Sequence, residues 1–225
     1  MVGTLPPVTT ELTTVPRPRQ PLDSSDQVRR WYENELGWPT VPAHPGSPGN
    51  GVLGTPGVPL RTPGAPLRTP GAPVRLSVGL RFDVLEVPAE AGHAALRHLS
   101  PGSPVALQGD RMRLLVAAGS TEELPGVLAW LEWGALTLDL TAIGEGGVMD
   151  APLPPGRRCS GAVQGAAVWL RPPEPGYEVE ASLPTLSAVG GGGGAPDLAR
   201  VVDTMAAQCH RLRLRRACAG QLARS

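Results

Sequence analysis

Two acids on strand-like segments, Glu86 and Asp139, are the strongest candidates for chemistry in this chain. Converging carboxylate oxygens are what a divalent cation needs, so the pair could share one weak metal site; the alternative is two solvated or hydrogen-bonded acids on strand faces. Asp83 does not extend the set, because its parity is opposite to that of Glu86 and a regular strand turns the two to opposite sides. Arg111 and Arg113 alternate on one segment and suit a phosphate group. The turn Gly144-Glu145-Gly146-Gly147 can cradle a phosphate through its backbone N–H groups, or serve only as a turn between strands. The histidines are His44, His93, His98 and His210. His93 and His98 are five apart on an expected helix and do not share a face. No zinc spacing and no nucleophile–base pair emerges, so no metal site is assigned.

These residues need elements to carry them. Ser24 with Gln27 makes a capping-box pattern, and Val28, Trp31, Tyr32 and Leu36 follow at helical spacing up to Gly37. Residues 38–42 read as extended. Residues 76–87 read as one strand, with Val78, Leu80, Phe82 and Val84 alternating against Gly79, Arg81 and Asp83. A helix is expected over 89–99, with Ala91, Ala95, Leu96 and Leu99 inward. Residues 105–107 and 112–116 form a candidate hairpin across Gln108-Gly109-Asp110. Ser120 with Glu123 is a second capping box, opening a helix through Leu124, Val127, Leu128 and Leu131. Leu136, Leu138 and Leu140 alternate with Thr137, Asp139 and Thr141 as a strand, and a short strand follows the glycine turn. Residues 162–170 read as the last strand. Trp130, Trp133 and Trp169 are expected in the core. Helices alternating with a mixed sheet indicate an α/β (α+β) domain over 24–170.

Composition bounds the rest. Among 225 residues there are 27 prolines and 29 glycines, and they cluster, which divides the chain into folded and low-complexity parts. Residues 1–23 form a Pro/Thr-rich arm expected to be disordered. Residues 43–75 interrupt the domain with three seven-residue repeats ending in Leu60-Arg61, Leu67-Arg68 and Val74-Arg75. Their prolines exclude a coiled coil and favour extended structure with turns at Pro-Gly. The tract is either a tolerated loop expansion or a docking strip. The net charge is zero, which removes the broad basic field behind non-specific nucleic-acid binding. Lysine is absent and its place is taken by arginine, which reads as codon bias from a high-GC bacterial genome, with functional selection as the alternative. Three cysteines, Cys159, Cys209 and Cys218, with no CxxC pair argue against a disulfide framework and for a reducing cytoplasm. No run is long enough to span a bilayer and no signal-peptide pattern opens the chain.

Three segments resemble the N-terminal domain of bifunctional DNA primase/polymerases, a branch of the archaeo-eukaryotic primase superfamily. They are Leu36-Gly37-Trp38-Pro39-Thr40-Val41-Pro42, then 80–92, which begins Leu80-Arg81-Phe82-Asp83-Val84-Leu85-Glu86-Val87-Pro88, and 138–152, which begins Leu138-Asp139-Leu140-Thr141-Ala142-Ile143-Gly144. With the element order, the likeness covers most of 26–170. It implies a primase/polymerase-like fold and metal-dependent nucleotidyl transfer, with two acids on one strand, a third from a later strand, and a histidine on the nucleotide phosphates. On that register Glu86 takes the first acid and Pro88 the second, and proline offers no ligand. Asp139 matches the third acid, and Arg113 stands about where the histidine belongs. The resemblance therefore implies a pseudoenzyme in which Glu86 and Asp139 are vestigial. No cofactor is expected, and Mg²⁺ or Mn²⁺ enters only if the reaction survives on a rearranged site.

A Pro/Gly-rich linker is expected over 171–195, its glycine run 190–194 acting as a hinge. A C-terminal amphipathic helix follows over 196–217, then a tail over 218–225. Leu198, Val201, Val202, Met205, Cys209 and Leu212 form one apolar stripe, and Arg211, Arg213, Arg215 and Arg216 crowd its far end. The stripe either docks back onto the domain or captures a protein partner or a second copy, with Leu198, Val202, Met205, Leu212, Arg213 and Arg216 as the contact residues. The function expected is thus a non-catalytic interaction or regulatory protein. The alternative is a nucleotide- or single-stranded nucleic-acid-binding domain using Arg111, Arg113, Gly144, Gly146 and Gly147, and after it an active nucleotidyltransferase.

Overall fold

The computed structural model describes residues 24–41, 73–156, 165–186 and 196–222. The N-terminal arm, nearly all of the repeat-bearing insert and the glycine run at 190–194 lie outside the described residues. Only 73–75 of the insert fall inside, and they belong to the fold: Val74 is buried and Arg75 opens a strand.

Helix α1 (Ser24–Arg30) continues into a π-helical turn over Trp31–Glu35, and Gly37, at φ +65°, follows its end. Strand β1 (Thr40–Val41) comes next. The single strand expected over 76–87 is instead two, β2 (Arg75–Ser77) and β3 (Phe82–Pro88), in different sheets. The break is at Gly79, with φ +95°, where a Cβ would come within 2.6 Å of the Glu145 amide nitrogen. Only glycine allows both that backbone angle and that approach. The chain turns there, and Leu80, expected inward, is 64% exposed.

Both sheets are antiparallel rather than mixed. The larger has the order β6-β3-β5-β4-β8, with β4 Val105–Gln108, β5 Arg111–Ala117, β6 Thr141–Ile143 and β8 Val168–Arg171. The smaller is β1-β2-β7, with β7 Val148–Asp150. Among the described residues the one parallel contact is an isolated bridge between Thr185 and Asp197. Helices α2 (Ala89–Ala95), α3 (Ser120–Trp130) and α4 (Leu198–Leu222) cover one face of the larger sheet. That core contains Leu85, Val87, Met112, Leu114 and Val116. On the other face Phe82, Val84, Ala106 and Leu115 meet Tyr32, Trp38, Leu76 and Met149. The Tyr32 hydroxyl donates to the Pro152 carbonyl at 2.6 Å and accepts from Trp169 Nε1 at 3.0 Å, which ties the π-helical turn after α1 to β8. This is an α+β fold with a core on each side of one sheet.

Several expectations are corrected. Residues 136–140 are not a strand. Helix side chains take carbonyls that a sheet neighbour would otherwise hold: Cys209 Sγ donates to Asp139 O at 3.4 Å and Arg213 Nη1 to Thr137 O at 3.0 Å. Of the last strand expected over 162–170, residues 162–164 lie outside the described residues, 165–167 are not strand, and β8 begins at Val168. Trp130 is 75% exposed and Trp133 half-buried, with its indole N–H on Asp203, so neither is a core residue. Ser120 is not the cap of α3. Gly119 holds that position, and Asp83 of β3 accepts from the Thr121 N–H at 3.0 Å and its hydroxyl at 2.9 Å. The expected linker is packed through its first half: Leu183 is buried, Ser103 Oγ donates to Ser182 O, and Ala117 N–H to Pro184 O. The C-terminal helix runs on to Leu222.

Its apolar stripe faces the domain. Leu198, Val201, Val202 and Met205 are wholly buried, and Cys209 and Leu212 nearly so. Leu198, Val202, Met205 and Leu212 are therefore core residues and not partner contacts. Docking wins because the sheet face under α4 is itself apolar and would otherwise lie bare. Only the end of the helix, residues 213–221, is exposed throughout.

Candidate functional site

Glu86, Arg111 and Arg113 stand on one face of the larger sheet because of register. Glu86 is directly opposite Arg113 across the β3–β5 ladder, and Arg111 opposite Pro88. Asp139 precedes Thr141, which pairs with Glu86 on the other side, so the loop entering β6 delivers it to the same place. The two candidate acids are thus brought together, from segments more than fifty residues apart.

What joins them is arginine. Arg111 Nε donates to Glu86 Oε1 at 3.2 Å while its Nη1 donates to Asp139 Oδ1 at 2.7 Å. Arg113 Nε donates to Glu86 Oε2 at 2.7 Å. Arg216, from the far end of α4, reaches Asp139 Oδ2 at 3.5 Å. All four carboxylate oxygens are therefore engaged by guanidinium groups, and Arg111 bridges the two acids. Burial lowers the Arg111 pKa, but the hydrogen bonds and charges of Asp139 and Glu86 more than offset it, so the guanidinium is held above its ordinary value. Arg113 Nη1 is buried without a hydrogen-bond partner among the described residues.

This donor set does not fit a divalent cation. A metal needs carboxylate lone pairs aimed at a shared point, and here Arg111 holds that position with a fixed positive charge. Among the described residues no group of three or more His, Cys, Asp or Glu side chains converges elsewhere. Asp83 is on the opposite face, buried as the cap of α3. His93 and His98 join neither acid; His98 Nε2 accepts from Arg97 Nε at 3.0 Å.

The glycine turn is packed. Gly147 N–H donates to Gly144 O at 2.9 Å, Gly147 O accepts from Val78 N–H, and a Cβ on Gly144 would overlap the Thr121 hydroxyl. Its glycines let β6 of one sheet pass close to Gly79 and α3 on the way to β7 of the other.

Sequence reasoning missed two contributors. Arg216 and Cys209 contact the 137–139 segment from α4, some seventy residues later. Burial, then the charge of Asp139, pushes the Cys209 thiol up to about 11. The sequence placed Arg216 in a cationic cluster and Cys209 in an apolar stripe but linked neither to Asp139, because a helix face and a loop that meet only in the folded chain share no spacing. Asp83 as a cap was equally invisible, since its partner Thr121 is on an element two strands later.

Compared with family models, curated proteins and solved structures, the chain matches none. No helix among the described residues is long and apolar enough to cross a membrane.

Proposed function

We propose that this chain is a non-catalytic interaction or regulatory module, built on a domain that resembles the primase/polymerase N-terminal domain. One observation carries the reading: Arg111 bridges Glu86 and Asp139, and Arg113 and Arg216 take their remaining oxygens. Carboxylates neutralised in this way are structural ion pairs, and a phosphoryl-transfer centre has no metal ligands left to draw on. The proposed contact with a protein partner is the exposed end of α4, whose arginines ring the helix: Arg213 and Arg216 lie toward the 137–139 segment, Arg215 pairs with Glu90, and all remain exposed enough to meet an acidic surface. The proposed compartment is the cytoplasm, in keeping with the free thiols of Cys209 and Cys218.

The test is template-directed nucleotide incorporation with Mg²⁺ or Mn²⁺. The expected result is none above background. Incorporation that disappears in Asp139→Ala refutes the reading. A second reading, nucleotide or single-strand binding, draws on Arg111 and Arg113, which stand on the same face of β5. Filter binding of nucleotides and single-stranded DNA, with loss in Arg113→Gln, is the result that would establish it.

A further inference from the structure

A hollow of about 380 Å³ lies where the far half of α4 crosses the 137–139 segment. Its floor is apolar: Leu138 from the loop, with Leu212 and Cys209 from the helix. Its rim is cationic, formed by Arg213 and Arg216. We propose that this hollow is a binding site for a small amphiphilic anion, a carboxylate or phosphate head on a short apolar body.

Charge decides the head group. The hollow is lined by two guanidinium groups, Arg213 and Arg216, and one carboxylate, Asp139, which also pairs with Arg111 from outside the lining. The excess is positive, and Asp139 is already taken up by Arg111 at 2.7 Å. Arg213 and Arg216 keep N–H donors to spare, because a guanidinium carries five and each makes a single contact at this segment. The Arg216–Asp139 contact is long, 3.5 Å, and the Arg216 side chain is 66% exposed, so it can turn to an incoming anion at little cost. Shape decides the body. The hollow is at the small end of the range for small-molecule sites, roughly 300–1,000 Å³. Leucine side chains and an uncharged thiol on its floor favour a short hydrocarbon or ring over a bare ion. A nucleic-acid strand fits less well, because no aromatic ring lines the hollow for a base to stack on. The proposal depends neither on the resemblance nor on the protein-partner reading, since it uses only the geometry of α4 against this loop.

Isothermal titration of the full chain with sodium hexanoate, hexyl phosphate and inorganic phosphate tests it. Saturable binding of hexanoate or hexyl phosphate is expected, with inorganic phosphate about tenfold weaker, and the stronger of the two amphiphiles identifies the head group. Arg216→Glu should weaken binding by about tenfold or more, because it replaces a charge-assisted donor with a repelling carboxylate. Arg200→Glu, on the first turn of the same helix, should leave it unchanged. A second readout is alkylation of Cys209, which the bound amphiphile should slow in a Cys159→Ser/Cys218→Ser background. Three outcomes overturn the proposal: no saturable binding of either amphiphile, inorganic phosphate binding as tightly as both, or unchanged affinity in Arg216→Glu.

Discussion

Met205 offers the sharpest test of how α4 is held. Its side chain is wholly buried in the cluster that contains Val87, Ala91, Leu114 and Leu124. Replacing it by alanine removes the thioether and its methyl while leaving helix propensity nearly unchanged, so the loss is one of packing. Burial of this completeness puts the cost of Met→Ala at about 2–5 kcal/mol, a transfer loss plus a cavity that the neighbours only partly fill. A domain of this size has only about 5–15 kcal/mol in total, so the change is large. At about 2–4 °C per kcal/mol, the melting temperature should fall by roughly 4–20 °C. Circular dichroism at the helix band, followed through heating and through urea, reads both the midpoint and the slope. Leu214→Ala on the exposed end of the same helix is the control, expected within about 0.5 kcal/mol of the parent. Replacing both Val202 and Met205 by aspartate should leave no folded domain, because each carboxylate would be buried without a partner. The reasoning fails if Met205→Ala moves the midpoint no more than Leu214→Ala does.

Gly79→Ala should cost more than about 3 kcal/mol in urea unfolding, since φ +95° and the Glu145 backbone both exclude a Cβ; an unchanged midpoint would contradict the two-sheet crossover. Asp83→Ala should cost about 2–3 kcal/mol by removing a buried cap, and Asp83→Asn less, because the amide oxygen still accepts from Thr121; equal losses would sink the capping argument. At neutral pH iodoacetamide should label Cys218 well before Cys209 by mass mapping. Burial, then the charge of Asp139, pushes the Cys209 thiol from its ordinary 9.0 up to about 11, so its raised folded value adds stability that is whole below pH 9 and fades as pH climbs toward 11.

The sequence by itself was enough for some of the local elements. Period-3.6 spacing and Gly37 predict α1, the Gly109-Asp110 pair predicts the hairpin of β4 and β5, and the stripe from Leu198 to Leu212 predicts an amphipathic α4. These signals are legible because each arises among neighbours a few residues apart. The pairing of Glu86 with Asp139 through Arg111 was not legible. It depends on β3 lying between β5 and β6, a register set by two cores that must both be filled. Alternation alone could not tell one strand from two at 76–87, because the Gly79 break is decided by Glu145, which approaches from a distant turn. Nor could periodicity say what covers an apolar stripe. The pattern demands burial, but whether a sheet, a partner or a second copy supplies it is a competition between surfaces, and only the folded chain brings those surfaces face to face.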